Sequence, residues 1–168
     1  MSNDTPRPEQ DLRSVTIERL EEGVYLARNA RGDELRFGSK ATDAFSPVEL
    51  LLAALAGCSA VDVDVVTGRR AVAEEFRARA DARVVRDGGN RLTDVTLTFQ
   101  VTFPEGPDGD AARTVLPRAV RASHDRTCTV SRTIEAATPV TVVIEGPADG
   151  VADGVADVTI DRQEDDAQ

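Results

Sequence analysis

Lysine occurs once in this chain of 168 residues, histidine once and cysteine twice. Two cysteines are too few for the disulfide framework of a small secreted scaffold or for a four-ligand zinc site. A single histidine argues against multi-histidine metal chemistry. The longest apolar run, residues 50–58, is too short to cross a bilayer and is soon followed by Asp62 and Asp64. Residues 1–18 are polar and lack the apolar stretch of a secretory signal. Positive charge is in deficit too: 20 Lys+Arg stand against 30 Asp+Glu, a net charge of −10. Nothing in that balance offsets phosphate repulsion, which argues against a general nucleic-acid binder. These absences point to a soluble cytoplasmic protein with reduced thiols and with neither nucleic acid nor membrane as partner.

What the chain does contain is 40 % hydrophobic and 30 % charged residues, enough for one folded domain. Its cations are 19 arginines and Lys40. An acid-rich surface almost without lysine fits a protein kept soluble in strong salt, or one from a GC-rich genome; either reading concerns solubility, not fold.

The pattern along the chain predicts an α+β order, ββ-α-ββ-α-α-β. Residues 1–13 read as a mobile N-terminus. Residues 14–27 read as a strand pair or one bent strand, followed by a turn at Ala30-Arg31-Gly32-Asp33 and a further extended stretch at 34–37. Ser46-Pro47-Val48-Glu49 reads as a capping box with Pro in the first turn. The helix it opens runs to about Thr67, with Gly68 as the stop, and is apolar nearly all round, which suits the centre of a structure. Phe76, Ala78, Ala80, Ala82 and Val84 alternate with charged residues, and Val95, Leu97, Phe99, Val101 and Phe103 alternate with polar ones. Across the turn Asp87-Gly88-Gly89-Asn90 this predicts a hairpin with one buried face. Residues 104–110 read as a loop and 114–126 as a helix with Pro117 in its first turn. A short helix follows at 129–136 and a last strand at 140–145. Residues 147–168 hold the repeat Ala148-Asp149-Gly150-Val151, Ala152-Asp153-Gly154-Val155 and end in acid; they read as a solvated, disordered tail.

Taken alone, Cys58, in the middle of an apolar helix, reads as a buried small hydrophobe. Cys128 lies where one helix ends and the next begins, so Cys128 or Thr129 caps the second, and a sulfur there feels the positive end of the helix. His124, four residues earlier, is placed to face that sulfur or to sit exposed at the surface. Asp62, one turn after Cys58, would raise the thiol pKa if it faced the sulfur. Two cysteines 70 residues apart can pair only if the fold brings their Cα atoms within about 7 Å.

The run SPVELLLAALAGCSAVDV at residues 46–63 resembles the first cysteine motif of the OsmC/Ohr family, the osmotically inducible and organic-hydroperoxide-resistance proteins. HDRTCTVSR at 124–132 resembles the second, and their order, separation and intervening hairpin fit as well. The resemblance covers residues 14–146. It implies an OsmC-like fold, antiparallel sheets packed around long central helices in an intertwined homodimer. It also implies a thiol-dependent peroxidase for organic hydroperoxides. In that scheme Cys58 becomes a sulfenic acid, Cys128 resolves it to a Cys58–Cys128 disulfide, and an external dithiol, dihydrolipoamide or a thiol reductant protein, restores both thiols. No metal, flavin or haem is required.

By the same resemblance Glu49 is the carboxylate that, with an arginine, orients the peroxide. Nine residues of straight helix place Glu49 and Cys58 on opposite faces about 13 Å apart. Glu49 would therefore act from a bent helix or on a partner chain's Cys58, in addition to its capping role. The hydroperoxide-resistance branch carries its arginine after a glycine in the first hairpin. That Gly-Arg pair is missing here, and Arg19, Arg28 and Arg36 are the candidates. Cys58-Ser59-Ala60-Val61-Asp62-Val63 looks more like the OsmC-like branch. The missing pair motivates a second expectation: a cysteine-based redox sensor or small-molecule-binding stress protein of the same fold without significant turnover.

Overall fold

The computed structural model describes residues 12–39, 43–136, 138, 140, 142–144 and 156–158. Most of the expected mobile N-terminus and most of the acidic tail lie outside them.

The chain opens with a three-stranded antiparallel meander: β1 (Val15–Glu21), β2 (Val24–Asn29) and β3 (Glu34–Gly38). The extended stretch at 14–27 is thus a strand pair, with Ile17 opposite Ala27, and Tyr25 lies opposite Phe37 with stacked rings. Gly38 abuts the Gly23 carbonyl so closely that any side chain there would collide with it. One face of this sheet is underfilled: Val24 and Phe37 are buried, but Val15 is 62 % and Ile17 51 % exposed.

Helix α1 (Pro47–Thr67) begins and ends where the sequence predicts. Ser46 Oγ accepts the Glu49 N–H, and Glu49 accepts in return from the Ser46 N–H and hydroxyl, both at 2.8 Å. Leu55, Ser59, Val63 and Thr67 form its buried stripe. They sit four residues apart, the spacing that keeps side chains on one helical face. Thr67 satisfies its hydroxyl on the Val63 carbonyl at 3.0 Å. Within the chain α1 is covered on this side by α2, α3 and β4. Its remaining apolar surface stays open, with Val61 at 64 % and Val65 at 55 % exposed. The unbroken apolar run 50–58 is too short to span a bilayer, but the whole 21-residue helix is, by length and composition alone, long and apolar enough to do so.

The hairpin of β4 (Glu75–Val85) and β5 (Arg91–Thr102) pairs Ala78 with Phe99 and Ala80 with Leu97, as the alternation predicts. Helix α2 (Pro107–Ala122) corrects the sequence reading: it starts seven residues early, in the expected loop, and Pro117 lies inside it rather than in its first turn. Pro107 takes the first helical position, where a missing N–H costs nothing, and Arg113 ties the new turn to the Phe103 carbonyl at 2.9 Å. Gly109 lies directly against the Pro104 carbonyl, where no side chain fits. A single π turn, Ser123–Thr127, then leads into α3 (Thr129–Glu135). Strand β6 (Val142–Ile144) pairs with β7 (Ala156–Val158), a strand within the segment read as tail. The fold is α+β, mixing helices with antiparallel strands.

Candidate functional site

Helix α1 carries Cys58 to the point where α3 begins, and Cys128 is the N-cap of α3. Both are free thiols, Cys58 half-buried and Cys128 fully buried. The Cys128 sulfur accepts the Ser131 N–H at 3.4 Å, the bond expected of a cap. Its own N–H closes the π turn on the Ser123 carbonyl at 2.9 Å.

The two thiols lie close enough to act on each other, and their environments separate them. Burial pushes Cys58 up; backbone N–H groups of Val130 and Thr129 oppose this only in part, and the neighbouring Cys128 raises it further. Burial works against the Cys128 anion too, but hydrogen bonds from the Ser59 hydroxyl, the Ser131 N–H, the Cys58 thiol and the Val130 N–H outweigh it and bring Cys128 below the ordinary thiol value. Within the pair the Cys128 thiol is thus shifted down and the Cys58 thiol up.

Asp62 does not act on Cys58. Its Oδ2 accepts instead from Ser123 Oγ at 2.9 Å and Thr127 Oγ1 at 2.6 Å. His124 likewise turns from the sulfur: its Nδ1 lies 3.3 Å from Ser131 Oγ and 3.6 Å from Glu135. Both contacts fall on the same ring nitrogen, so the three residues do not form a hydrolytic relay, in which the two nitrogens serve different partners. Among the described residues no group of three or more His, Cys, Asp or Glu is placed to hold a metal ion.

Beside the thiols lies a pocket of about 580 Å³. Leu55, Leu97, Phe99, Val120 and Ile134 supply apolar walls, and Ser59, His124, Ser131 and Glu135 the polar ones. Ser59 and Ser131 therefore touch both the pocket and Cys128.

The family model described as OsmC-like protein matches residues 38–143. The chain belongs to the OsmC-like family. It is 30 % identical to the Escherichia coli protein YhfA over 122 residues, 70 % of this chain and 86 % of that one. An uncharacterized protein of Mycobacterium tuberculosis is 28 % identical over 137 residues, covering 79 % and 96 %. Among solved structures, an OsmC-like protein of unknown function from Vibrio cholerae shares the fold, with a TM-score of 0.62 at 15 % identity over 74 % of this chain and 94 % of that one.

Of the residues expected from the OsmC-like motifs, Cys58 and Cys128 meet. The others do not join them within this chain. Glu49 is fixed in its cap at the far end of α1, and those bonds hold its carboxyl below the usual range, the Ser46 N–H foremost. Arg28 is paired with Glu34 at 2.6 Å and Glu18 at 3.3 Å; Arg36 lies near Glu21 and Asp43. Arg19 stands in β1 opposite Tyr25. Among the described residues no arginine and no carboxylate acts on Cys58. Ser59, Ser131 and the Asp62 hydrogen bonds are the parts that sequence reasoning did not assign. Ser59 adjoins Cys58, and Ser131 stands three residues after the cap, the position that N-capping singles out.

Proposed function

We propose that this protein is a cytoplasmic thiol-dependent peroxidase for organic hydroperoxides, acting in oxidative-stress defence. The observation that carries the reading is the nearness of Cys58 and Cys128, distant in sequence yet acting on each other, beside a largely apolar pocket. Cys58 passes its proton to Cys128 and attacks the outer peroxide oxygen. The O–O bond breaks, the alkoxide takes the proton back, and an alcohol leaves. The Cys128 thiolate then attacks the Cys58 sulfenic acid, forms the disulfide and expels hydroxide. A dithiol, dihydrolipoamide or a reductant protein, receives the oxidation and restores both thiols.

The proposal includes a homodimer. One chain leaves the outer side of α1 and one face of the β1–β2–β3 sheet uncovered, and a symmetry mate would bury both. Such a mate is also the route by which Glu49 and one of Arg19, Arg28 or Arg36 could reach a Cys58. Turnover of cumene hydroperoxide coupled to dihydrolipoamide tests the activity; turnover no higher than that of Cys58→Ser rejects it.

The raised Cys58 thiol, with no arginine acting on it among the described residues, favours a second reading: a redox sensor that oxidises but scarcely turns over. Titrating peroxide against free thiols by intact mass separates the two. Rapid disulfide formation with catalytic recycling rejects the sensor.

A further inference from the structure

The π turn between α2 and α3 needs a reason. Hydrogen bonds of the i→i+5 kind are rare and usually last a single turn. This one is pinned from outside. Ser123 and Thr127, its first and last residues, both donate their hydroxyls to one oxygen of Asp62, 61 and 65 positions away in sequence. Asp62 stands one turn beyond Cys58 on the same helix. At the other end of the link, the Ser123 carbonyl holds the Cys128 N–H, and Thr127 directly precedes Cys128. Arg132, in α3, adds a bond to the Asp125 carbonyl at 2.8 Å. The chain of contacts therefore runs from α1, through Asp62 and the π turn, to the backbone of Cys128.

We propose that Asp62 is a positioning residue that holds the Ser123–Thr127 π turn open and so presents Cys128 to Cys58 for disulfide closure. Without its acceptor oxygen the extra residue of the π turn relaxes into α register. A slip of one residue turns the following side chain by about 100° and shifts it about 1.5 Å along the axis, which carries the Cys128 sulfur away from its partner. Asp62 makes no contact with the sulfurs. It sets whether an oxidised Cys58 is captured by Cys128 or remains open to over-oxidation.

The inference rests on reading the cysteines as a redox pair, and the test keeps the two apart by using diamide, which oxidises two neighbouring thiols to a disulfide while its azo bond is reduced to a hydrazine. No peroxide activity is needed. Closure is followed by intact mass in wild type, Asp62→Ala and Asp62→Asn, with thermal melting to confirm folding. Alkylation of Cys58 by iodoacetamide in a Cys128→Ser background reports reactivity without placement. Charge-assisted bonds of this kind are strong enough that their loss should slow closure about tenfold or more. We expect that loss in Asp62→Ala, rates close to wild type in Asp62→Asn, which keeps an acceptor oxygen, and Cys58 alkylation unchanged by either. Should Asp62→Ala melt early, Thr127→Val, which removes one exposed donor, carries the test and is expected to slow closure to a smaller degree. Closure of the folded variants at the wild-type rate overturns the proposal, as does Asp62→Asn as slow as Asp62→Ala. Wild type that never closes under diamide overturns the redox pair itself and this inference with it.

Discussion

The two halves of this chain differ in how far one copy of the sequence can complete them. The helical half, α1 with β4, α2 and α3, has an interior of its own: Val63, Thr67, Ser123 and Cys128 are fully buried. Among the described residues no buried side-chain nitrogen or oxygen lacks a partner. The β1–β2–β3 sheet is hydrogen-bonded throughout, with one irregularity between Arg19 and Glu21, yet leaves Val15, Ile17, Leu20 and Leu35 exposed, and the outer side of α1 is open as well. Backbone pairing is local and finishes a meander by itself, whereas burial requires a second surface. The thiol pair was built into the finished half. Every arginine considered for peroxide orientation lies in the unfinished one.

Breaking the finished half at its reactive point should have the largest effect. Cys58→Ser should abolish peroxide reduction down to the uncatalysed background. Cys128→Ser should still undergo the first oxidation, more slowly because solvent must replace Cys128 as proton acceptor, and then stall as sulfenic acid, passing to sulfinic acid under excess peroxide. Intact mass after one equivalent of peroxide distinguishes them, and oxidation lost in Cys128→Ser but kept in Cys58→Ser would reverse the roles.

The unfinished half can be tested by charging it. Val61→Asp with Val65→Asp should convert a dimer into monomers in sedimentation at micromolar concentration and lower the Tm. A wild type that is itself a stable folded monomer would contradict the dimer.

A finer comparison sets two valines of one helix against each other. Val63→Ala, at a site with 0 % exposure, should cost about 1–2 kcal/mol in denaturant unfolding. Val65→Ala should cost under about 0.5 kcal/mol if its face stays open, but as much as Val63→Ala, in a concentration-dependent way, if a second chain covers it.

Smaller still is the pH effect. The first ionisation of the thiol pair should fall below the ordinary thiol value and the second above it, read by ultraviolet thiolate absorbance. Cys58→Ala removes a donor from Cys128 and should move its pKa upward; a downward move would refute the sharing of a proton. The sign for stability follows. The lowered Cys128 pKa stabilises the folded chain above the thiol range, and this is lost as pH falls through the lowered value. The raised Cys58 pKa contributes below that range and is lost as pH rises through the raised value. Last, potassium chloride should raise the Tm by screening the self-repulsion of a −10 charge; an unchanged or falling Tm in molar salt would refute it.

Local signals were the legible ones. Ser46, Pro47 and Glu49 announced α1, and strict alternation announced β4 and β5. The early start of α2 was hidden because Pro117 reads as a boundary, although an exposed proline in a helix anchored by Arg113 is tolerated. The π turn was illegible because what holds it, Asp62, is supplied from another helix. At the site, the two motifs gave both cysteines, and a capping position gave Cys128 its place. The lowered Cys128 thiol was legible from its place at a helix start. That Asp62 turns from Cys58 to two hydroxyls was not, because it depends on the packing of α1 against the π turn.

The Cys128 sulfur has a second occupation as the cap of α3. A disulfide sulfur carries no charge and accepts hydrogen bonds weakly, so closing the bond to Cys58 would take from a seven-residue helix the acceptor that holds its first turn. The Ser131 amide, shielded in the reduced protein by that sulfur, would then exchange its hydrogen with solvent more freely, and the oxidation state of the thiols becomes readable at a backbone position three residues away.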